Sequence, residues 1–410
     1  MVVSPSTKDE VPYFDPQDPE FHRDPYPTYA RLRSHRPIYW SEKMGMWVAT
    51  RYGTCATLLK DPRLGRDAIP GIEHLHGPGA IQEPVFHFLW LSLLMRDPPD
   101  HTRLRGLVTK AFTARRVEAM RPRIRAIAHE LLDTVAARGA MDIIHDFAHP
   151  LPVTVICDML GIPEGDRGRF LGGAFINPRI VDPMPLARRE IDQENNVVLE
   201  LRDYFEHLFA RRRCDPGDDL ITALLHAEGE EGRLSEEEVF ANIWLLLVAG
   251  HETTRNLIGN GLLALHRNPA QLQRLKDQPE LMPNAVEELL RYDSPVQLGG
   301  RTALEEVDVD GTTVPRGGMV VMMLGAANCD PERFTDPDRL DVGRSGATSL
   351  SFGGGIHFCL GAQLSRIETA IALDVLLHRF PCLELNDIDH PAWKSGISLR
   401  GLDVLPAHWS

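Results

Sequence analysis

Residues 351 to 361 read Ser-Phe-Gly-Gly-Gly-Ile-His-Phe-Cys-Leu-Gly, which places Cys359 at the end of a glycine-rich loop and at the start of a predicted helix. Glycines let backbone amides approach the sulfur, and a helix N-terminus adds positive potential, so both effects favour thiolate over thiol. A thiolate in that position can ligate a soft metal. The other five cysteines, at 55, 157, 214, 329 and 382, form no C-x-x-C pair and read as small buried hydrophobes or inert surface thiols.

A second chemical cluster is Ala249-Gly250-His251-Glu252-Thr253-Thr254, inside a long apolar helical pattern. Glycine in a helix costs up to about 1 kcal/mol against alanine, and two β-branched threonines follow it. Gly250 is expected to open the backbone ladder locally, with the threonine hydroxyl bonding in the gap rather than to the preceding carbonyl, which makes room for a small ligand. Glu252 and Thr253 are an acid and an alcohol one residue apart, the types a proton relay needs. His251 and Glu252 superficially suggest the zinc-protease pattern H-E-x-x-H, but Arg255 stands where its second histidine would be, and His251 is given no role.

The segment Phe352-Gly353-x-Gly355-x-His357-x-Cys359-x-Gly361 resembles the haem-binding signature of the cytochrome P-450 monooxygenases at every fixed position. The resemblance implies that Cys359 is the axial ligand of the iron of haem b, a thiolate whose electron donation favours O–O cleavage. Phe352 and Gly353 would then lie beside the cofactor, with Ala249 and Gly250 on its opposite side. Glu252 and Thr253 match the family's catalytic acid and alcohol, which deliver protons to dioxygen. His101 and Arg105, four residues apart, match its H-x-x-x-R propionate contacts, and Arg301 and His357 match the remaining two. Glu288 and Arg291 fit the family's structural E-x-x-R pair, with Arg339 expected as its third member. The resemblance runs from Asp24-Pro25-Tyr26 to Arg400-Gly401-Leu402, with departures at Cys329, Leu340 and Ser365.

The resemblance implies an enzyme that inserts one oxygen atom from O2 into a lipophilic small molecule, by hydroxylation or epoxidation. Leu245, Ala249, Val296, Leu298 and Ile397 fall where the family's substrate contacts vary, as do the stretches at about 69 to 95 and 170 to 200. Their mostly apolar composition suits a fatty acyl, terpenoid, steroid or polyketide compound. Only 51 residues follow Cys359, so no fused flavin reductase is expected and electrons from NAD(P)H would arrive through an external ferredoxin or flavodoxin with its reductase. Residues 103 to 125 carry eight Lys or Arg against one acid, Glu118, and read as the docking region. Two other readings keep the haem: a peroxide-using peroxygenase, which would leave the Glu252–Thr253 pair dispensable, and a non-catalytic haem-based sensor, which would leave both the pair and the basic stretch unexplained.

These groups need a scaffold, and the pattern is mainly α with a smaller β part, an α+β fold. Ser235-Glu236-Glu237-Glu238 has the form of a capping box, and the apolar periodicity runs on to Asn268-Pro269, predicting a helix of roughly 30 residues. Further helices are expected from Asp100, from Val117 to Ala137, over 284 to 292 and over 361 to 380, with hairpins around Asp310-Gly311. Breakers between 61 and 84 suggest a loop with short pieces. Six prolines in the first 27 residues predict an extended surface arm over residues 1–28, followed by one catalytic domain over 29–410. The 410 residues carry a formal charge of −14, which disfavours nucleic acid and anionic membranes as partners. No apolar run is long enough to span a bilayer, and a soluble, cytoplasmic monomer is the expectation.

Overall fold

The computed structural model describes residues 14–67, 69–172, 178–229 and 232–409. Its centre is one helix, Glu236–Arg267, of 32 residues. Ser235 caps it: its hydroxyl accepts from the Glu238 amide while the Glu238 carboxylate accepts from the Ser235 amide, which satisfies two donors that the helix itself cannot. Val239, Phe240, Ile243, Leu247, Leu257, Ile258 and Leu262 are all buried, so the helix is apolar around most of its girth and packs as a core rod. Pro150–Leu160, Pro84–Leu91, Ala362–Arg379 and Met282–Tyr292 pack around it.

The β part is small. Its main sheet orders Ile38–Ser41, Met46–Ala49, Met319–Met323, Leu298–Ala303 and Leu64–Gly65 side by side, antiparallel except where Met46–Ala49 meets Met319–Met323. Register places Val320 between Trp47 on one strand and Arg301 on the other. A three-stranded sheet joins Ala140–Asp142 to the C-terminal strand Pro406–His408 and to Glu384–Leu385. The expected hairpin is Val307–Val309 with Thr312–Val314, turned by Asp310 and Gly311 at φ 49° and 80°, as a turn with two left-handed residues requires.

One local expectation fails. The N-terminal stretch is not an extended arm where it is described: Pro19–Arg23 and Tyr26–His35 are helices, and Phe14, Phe21 and Tyr29 are buried. Proline fits the first helical turn, so Pro19 and Pro27 start helices instead of forbidding them. Residues 1–13 of the expected arm lie outside the described residues. The stretch 61–84 carries only short pieces, as expected: Leu64–Gly65, Ala80–Gln82 and the helix Ile69–His76, whose first turn takes Pro70 and Gly71.

The pair Glu288–Arg291 is completely buried, with contacts of 2.7 and 2.9 Å. Its third member is Arg344, whose Nε donates to Glu288 Oε1 at 3.0 Å. The expected Arg339 has its side chain 65% exposed and paired with Asp341, and it contributes only its carbonyl, which accepts from Arg344. Proximity in sequence to the P-D-R motif favoured Arg339, but the chain turns between 339 and 344 and brings the later arginine inward. Arg291 also donates to the carbonyls of Asn328 and Pro337.

Glu368, on Ala362–Arg379, is buried without a partner for Oε2, and burial raises its carboxyl well above the ordinary range. Burial thus favours its neutral form. Removing one member of a buried, hydrogen-bonded ion pair leaves an uncompensated charge, so Arg291→Ala is expected to cost about 3–5 kcal/mol. Arg339→Ala is expected to stay within about 0.5 kcal/mol, and Arg344→Ala to fall between, all read by urea denaturation. A raised carboxyl value contributes stability at low pH that is lost as pH climbs toward it. Stability of the Glu368→Gln protein should accordingly match the parent at acidic pH and decline less on alkaline titration, as followed by thermal melts.

Candidate active site

The cysteine loop enters from a serine anchored on three sides. Ser351 Oγ donates to the Leu290 carbonyl at 2.8 Å and accepts from Ser294 Oγ and Asn328 Nδ2. Gly353 and Gly355 adopt φ of 70° and 66°, and a Cβ on Gly355 would lie 2.6 Å from the Leu59 carbonyl oxygen, so only glycine fits against the end of helix Tyr52–Leu58. The Cys359 amide then donates back to the Phe352 carbonyl at 3.0 Å, which closes the loop. Phe352 is held under the Arg366 guanidinium, 4.4 Å from its ring centre.

Burial pushes the Cys359 thiol up, opposed by the amides of Gly361 and Ala362 and by Arg105 and Arg366. The expected helix and glycine effects are present, yet the net direction is upward. A metal cation would displace the proton and hold the sulfur as a thiolate. Among the described residues no group of three His, Cys, Asp or Glu side chains could hold a metal ion. A porphyrin supplies its own nitrogen ligands and asks the chain for the thiolate.

A second feature calls for an anion. Arg66, Arg301, His101 and His357 converge around Asp97, whose carboxylate accepts from the Arg66 and Asp67 amides and lies 3.9 Å from His357 Nε2. The His101 and His357 rings are 4.2 Å apart. Burial first, and then mutual repulsion, lowers Arg301 to about 9 and His101 to about 4, and burial lowers Arg66 to about 10. Arg66 Nε, His101 Nε2 and both ring nitrogens of His357 are buried with no hydrogen-bond partner. Two guanidiniums against one carboxylate, with idle donors, fit a ligand that carries carboxylates, and haem carries two. Arg105 is placed differently from the expectation: its Nη2 donates to the Phe358 carbonyl at 2.8 Å, so it braces the cysteine loop. Arg66 and Asp97 were missed in the sequence because one lies among breakers and the other only precedes the Pro98-Pro99 pair.

On the long helix, Thr253 Oγ1 donates to the Ala249 carbonyl at 2.9 Å, so the hydroxyl does bond to the preceding turn, contrary to expectation. Gly250 is also not a point of tight packing, since a Cβ there would meet Ile156 at an ordinary 3.8 Å. Thr254 Oγ1 reaches Ser365 Oγ at 3.2 Å and ties the long helix to the helix that follows Cys359. Glu252 is buried, and burial raises its carboxyl, but Lys394 and Arg255 outweigh that and hold it below the usual range. Lys394 Nζ donates to Glu252 Oε1, and Arg255 Nη1 and Asn256 Nδ2 each lie 3.3 Å from the carboxylate.

Glu252, Thr253 and Ala249 face a cavity whose other walls are mostly apolar, from Ile72, Leu89, Leu94, Trp244, Leu245 and Val248. Val296 and Leu298 also line it. Ile397 does not line it. That side chain turns into the packing around Met46 and Leu298, and its neighbours Ser398 and Leu399 face the cavity instead. A bridge between Val296 and Leu399 fixes which side of this segment faces inward. Of the expected 170–200 stretch, residues 173–177 lie outside the described residues.

The basic stretch 103–125 is largely neutralised within the chain. Arg103 pairs with Glu238, Arg116 with Asp218, Arg121 with Glu118, Arg123 with Asp158 and Arg125 with Asp374. Its surface is less basic than its composition implies. Beside it, Ile356 and Phe358 are 55% and 43% exposed. Among the described residues no helix is long and apolar enough to cross a membrane.

The cytochrome P450 family model matches residues 82–399. The 6-deoxyerythronolide B hydroxylase of Saccharopolyspora erythraea is 41% identical over 401 residues, covering 96% of this chain and 98% of that protein. The polyketide biosynthesis cytochrome PksS of Bacillus subtilis is 41% identical over 407 residues, covering 97% and 98%. A crystal structure of P450BioI, in complex with an acyl carrier protein ligated to hexadec-9Z-enoic acid, superposes with a TM-score of 0.89 at 38% identity, covering 95% of this chain and 99% of that one. A family model over most of the chain, and relatives 41% identical along nearly their whole length, show that the chain belongs to the cytochrome P-450 family of monooxygenases.

Proposed function

We propose that the protein oxygenates a polyketide or fatty-acyl compound, using dioxygen and electrons from NAD(P)H passed through an external ferredoxin or flavodoxin. The observation that carries this reading is the cavity below Glu252 and Thr253, whose walls are mostly apolar away from those two residues and the Arg66–Arg301 cluster. Such a lining selects by shape and desolvation. Relatives named for hydroxylating 6-deoxyerythronolide B and for polyketide biosynthesis support the substrate class, and so does the neighbour bound to a fatty-acyl carrier protein.

Haem, when bound, supplies the redox-active iron at which dioxygen is reduced. Cys359 would ligate it through Sγ, with Arg105 and Arg366 offsetting the thiolate charge. Arg66, Arg301, His101 and His357 would bind its carboxylates, and Phe352 and Gly353 would lie against it beside the cysteine. Thr253 holds a proton at Oγ1, now committed to the Ala249 carbonyl, and Glu252 is the group from which that proton is replenished. Ala249, Leu245, Val296 and Leu298 orient the substrate and exclude water. The relay gives turnover with dioxygen a use for the acid and alcohol that direct peroxide use or gas sensing would not. The exposed Ile356 and Phe358, beside the remaining basic residues of 103–125, are the proposed docking face for the electron donor.

Reduced protein treated with carbon monoxide should show the strongly red-shifted main band of a thiolate-ligated haem, and Cys359→Ala should lose it; an unshifted band in the parent refutes the assignment. Arg66→Leu is expected to lose haem faster to an acceptor globin than Arg339→Leu does, by about ten- to a hundredfold, because one buried charge-assisted contact is worth about 1.5–3 kcal/mol. Thr253→Ala should keep consuming NAD(P)H while releasing peroxide and losing most product, measured as product formed per NAD(P)H oxidised.

A further inference from the structure

Glu252 does not stand free above the cavity. It is tied to Lys394, which arrives from a distant part of the chain, and the way that lysine is presented is specific. The Lys394 amide donates to the Gly401 carbonyl at 2.9 Å, which closes segment 394–401 into a loop. That loop is pressed on the long helix: a Cβ on Gly401 would lie 2.1 Å from Asn256 Oδ1, Asn260 donates to the Arg400 carbonyl, and Arg255 Nη2 reaches the Leu402 carbonyl. The same loop carries Ser398 and Leu399 into the substrate cavity.

Lys394 also lines a separate polar cavity with Arg179, Asp182, Ser395, Gly396, Leu399 and Asp403. Asp182 and Leu399 face both cavities. Burial lowers the Lys394 ammonium, opposed by its pairing with Glu252 and, least, by Asp403, which lines the polar cavity with it. We propose that Lys394 is a positioning residue that holds Glu252 as an ion-paired carboxylate and releases it to take up a proton by turning toward the polar cavity and Asp403. Because one loop carries both this lysine and two substrate-facing residues, seating of substrate and proton supply are mechanically linked.

The groups facing Glu252 from every side are few. Arg255, Asn256 and His251 belong to its own helix, with His251 Nε2 at 3.9 Å, and His149 stacks edge-on against His251 from the helix pair below. His251 Nδ1 is committed to the Leu247 carbonyl at 2.7 Å. Burial lowers both histidines, so they add little positive charge near neutrality. Lys394 and Arg255 are the cations that keep the carboxylate ionised.

The proposal rests on the monooxygenase reading for its purpose, but its first test does not. Infrared spectra of the purified holoenzyme are recorded between pH 5 and 8, with Glu252→Gln used to assign the carboxyl C=O band. The parent should show no protonated Glu252 band across this range. In Lys394→Met the band should appear, its midpoint moved up by about one to three pH units as expected when an opposite charge is removed, and it should vanish in the double variant with Glu252→Gln. Lys394→Arg should restore the parent spectrum. In turnover, product per NAD(P)H of Lys394→Met should become pH-dependent with that same midpoint, while the reduced carbon monoxide band stays shifted. If Lys394→Met shows no carboxyl band above pH 5, or if the Met and Arg variants behave alike, the proposal is overturned. An unshifted carbon monoxide band would instead sink the haem-thiolate reading and leave the infrared result standing.

Discussion

The site depends on how the cysteine loop is anchored before it reaches the cysteine. Ser351 is fixed by the Leu290 carbonyl, Ser294 and Asn328, and Leu290 sits on the helix whose Glu288 and Arg291 are wholly buried with Arg344. Asn328 in turn accepts from the Leu350 amide at 2.7 Å, and its carbonyl takes a bond from Arg291. One buried charge network therefore holds the irregular segment between 328 and 351 in place. Irregular backbone has no ladder of its own, so its polar groups must be satisfied by side chains, and a buried arginine with five donors does this for several carbonyls at once.

The second organising fact is an electrostatic imbalance. Two arginines and two histidines gather around Asp97 from four places in sequence: the loop at 66, the helix start at 101, the sheet strand at 301 and the cysteine loop at 357. Burial lowers the affinity of all of these bases for protons, which destabilises the pocket unless an anion enters. On the other face of the cavity the balance is opposite: Glu252 is already matched by Lys394 and Arg255. One end of the site is thus built to accept negative charge, and the other to control a proton.

Much of this was legible before any coordinates. Cys359 with its glycines, the long capped helix, and the pairs Glu252–Thr253 and Glu288–Arg291 are local patterns, set by turn chemistry, capping and helical periodicity. Errors arose where a local rule met a tertiary choice. Arg339 and Arg344 are both plausible partners for Glu288 by type, and only the path of the turn between them decides. Ile397 and Leu399 are both apolar and two residues apart, and only the bridge to Val296 tells which segment face lines the cavity. The prolines at 19 and 27 read as breakers, although each fits the first turn of a helix. Arginines at 103 to 125 read as a charged patch because their acids, at 158, 218, 238 and 374, are remote in sequence.

The sequence by itself determined the family, through the cysteine loop and the Glu252–Thr253 pair that resemble its motifs, because each is a short pattern of adjacent residues. Only the tertiary structure decided which charges are paired. It brought Lys394 to Glu252 across 142 residues, left Arg66 and Arg301 around a single carboxylate, and turned Arg105 to the cysteine loop. Ion pairing depends on where side chains end in space and on how much water is removed from them, and neither can be read from a position along the chain.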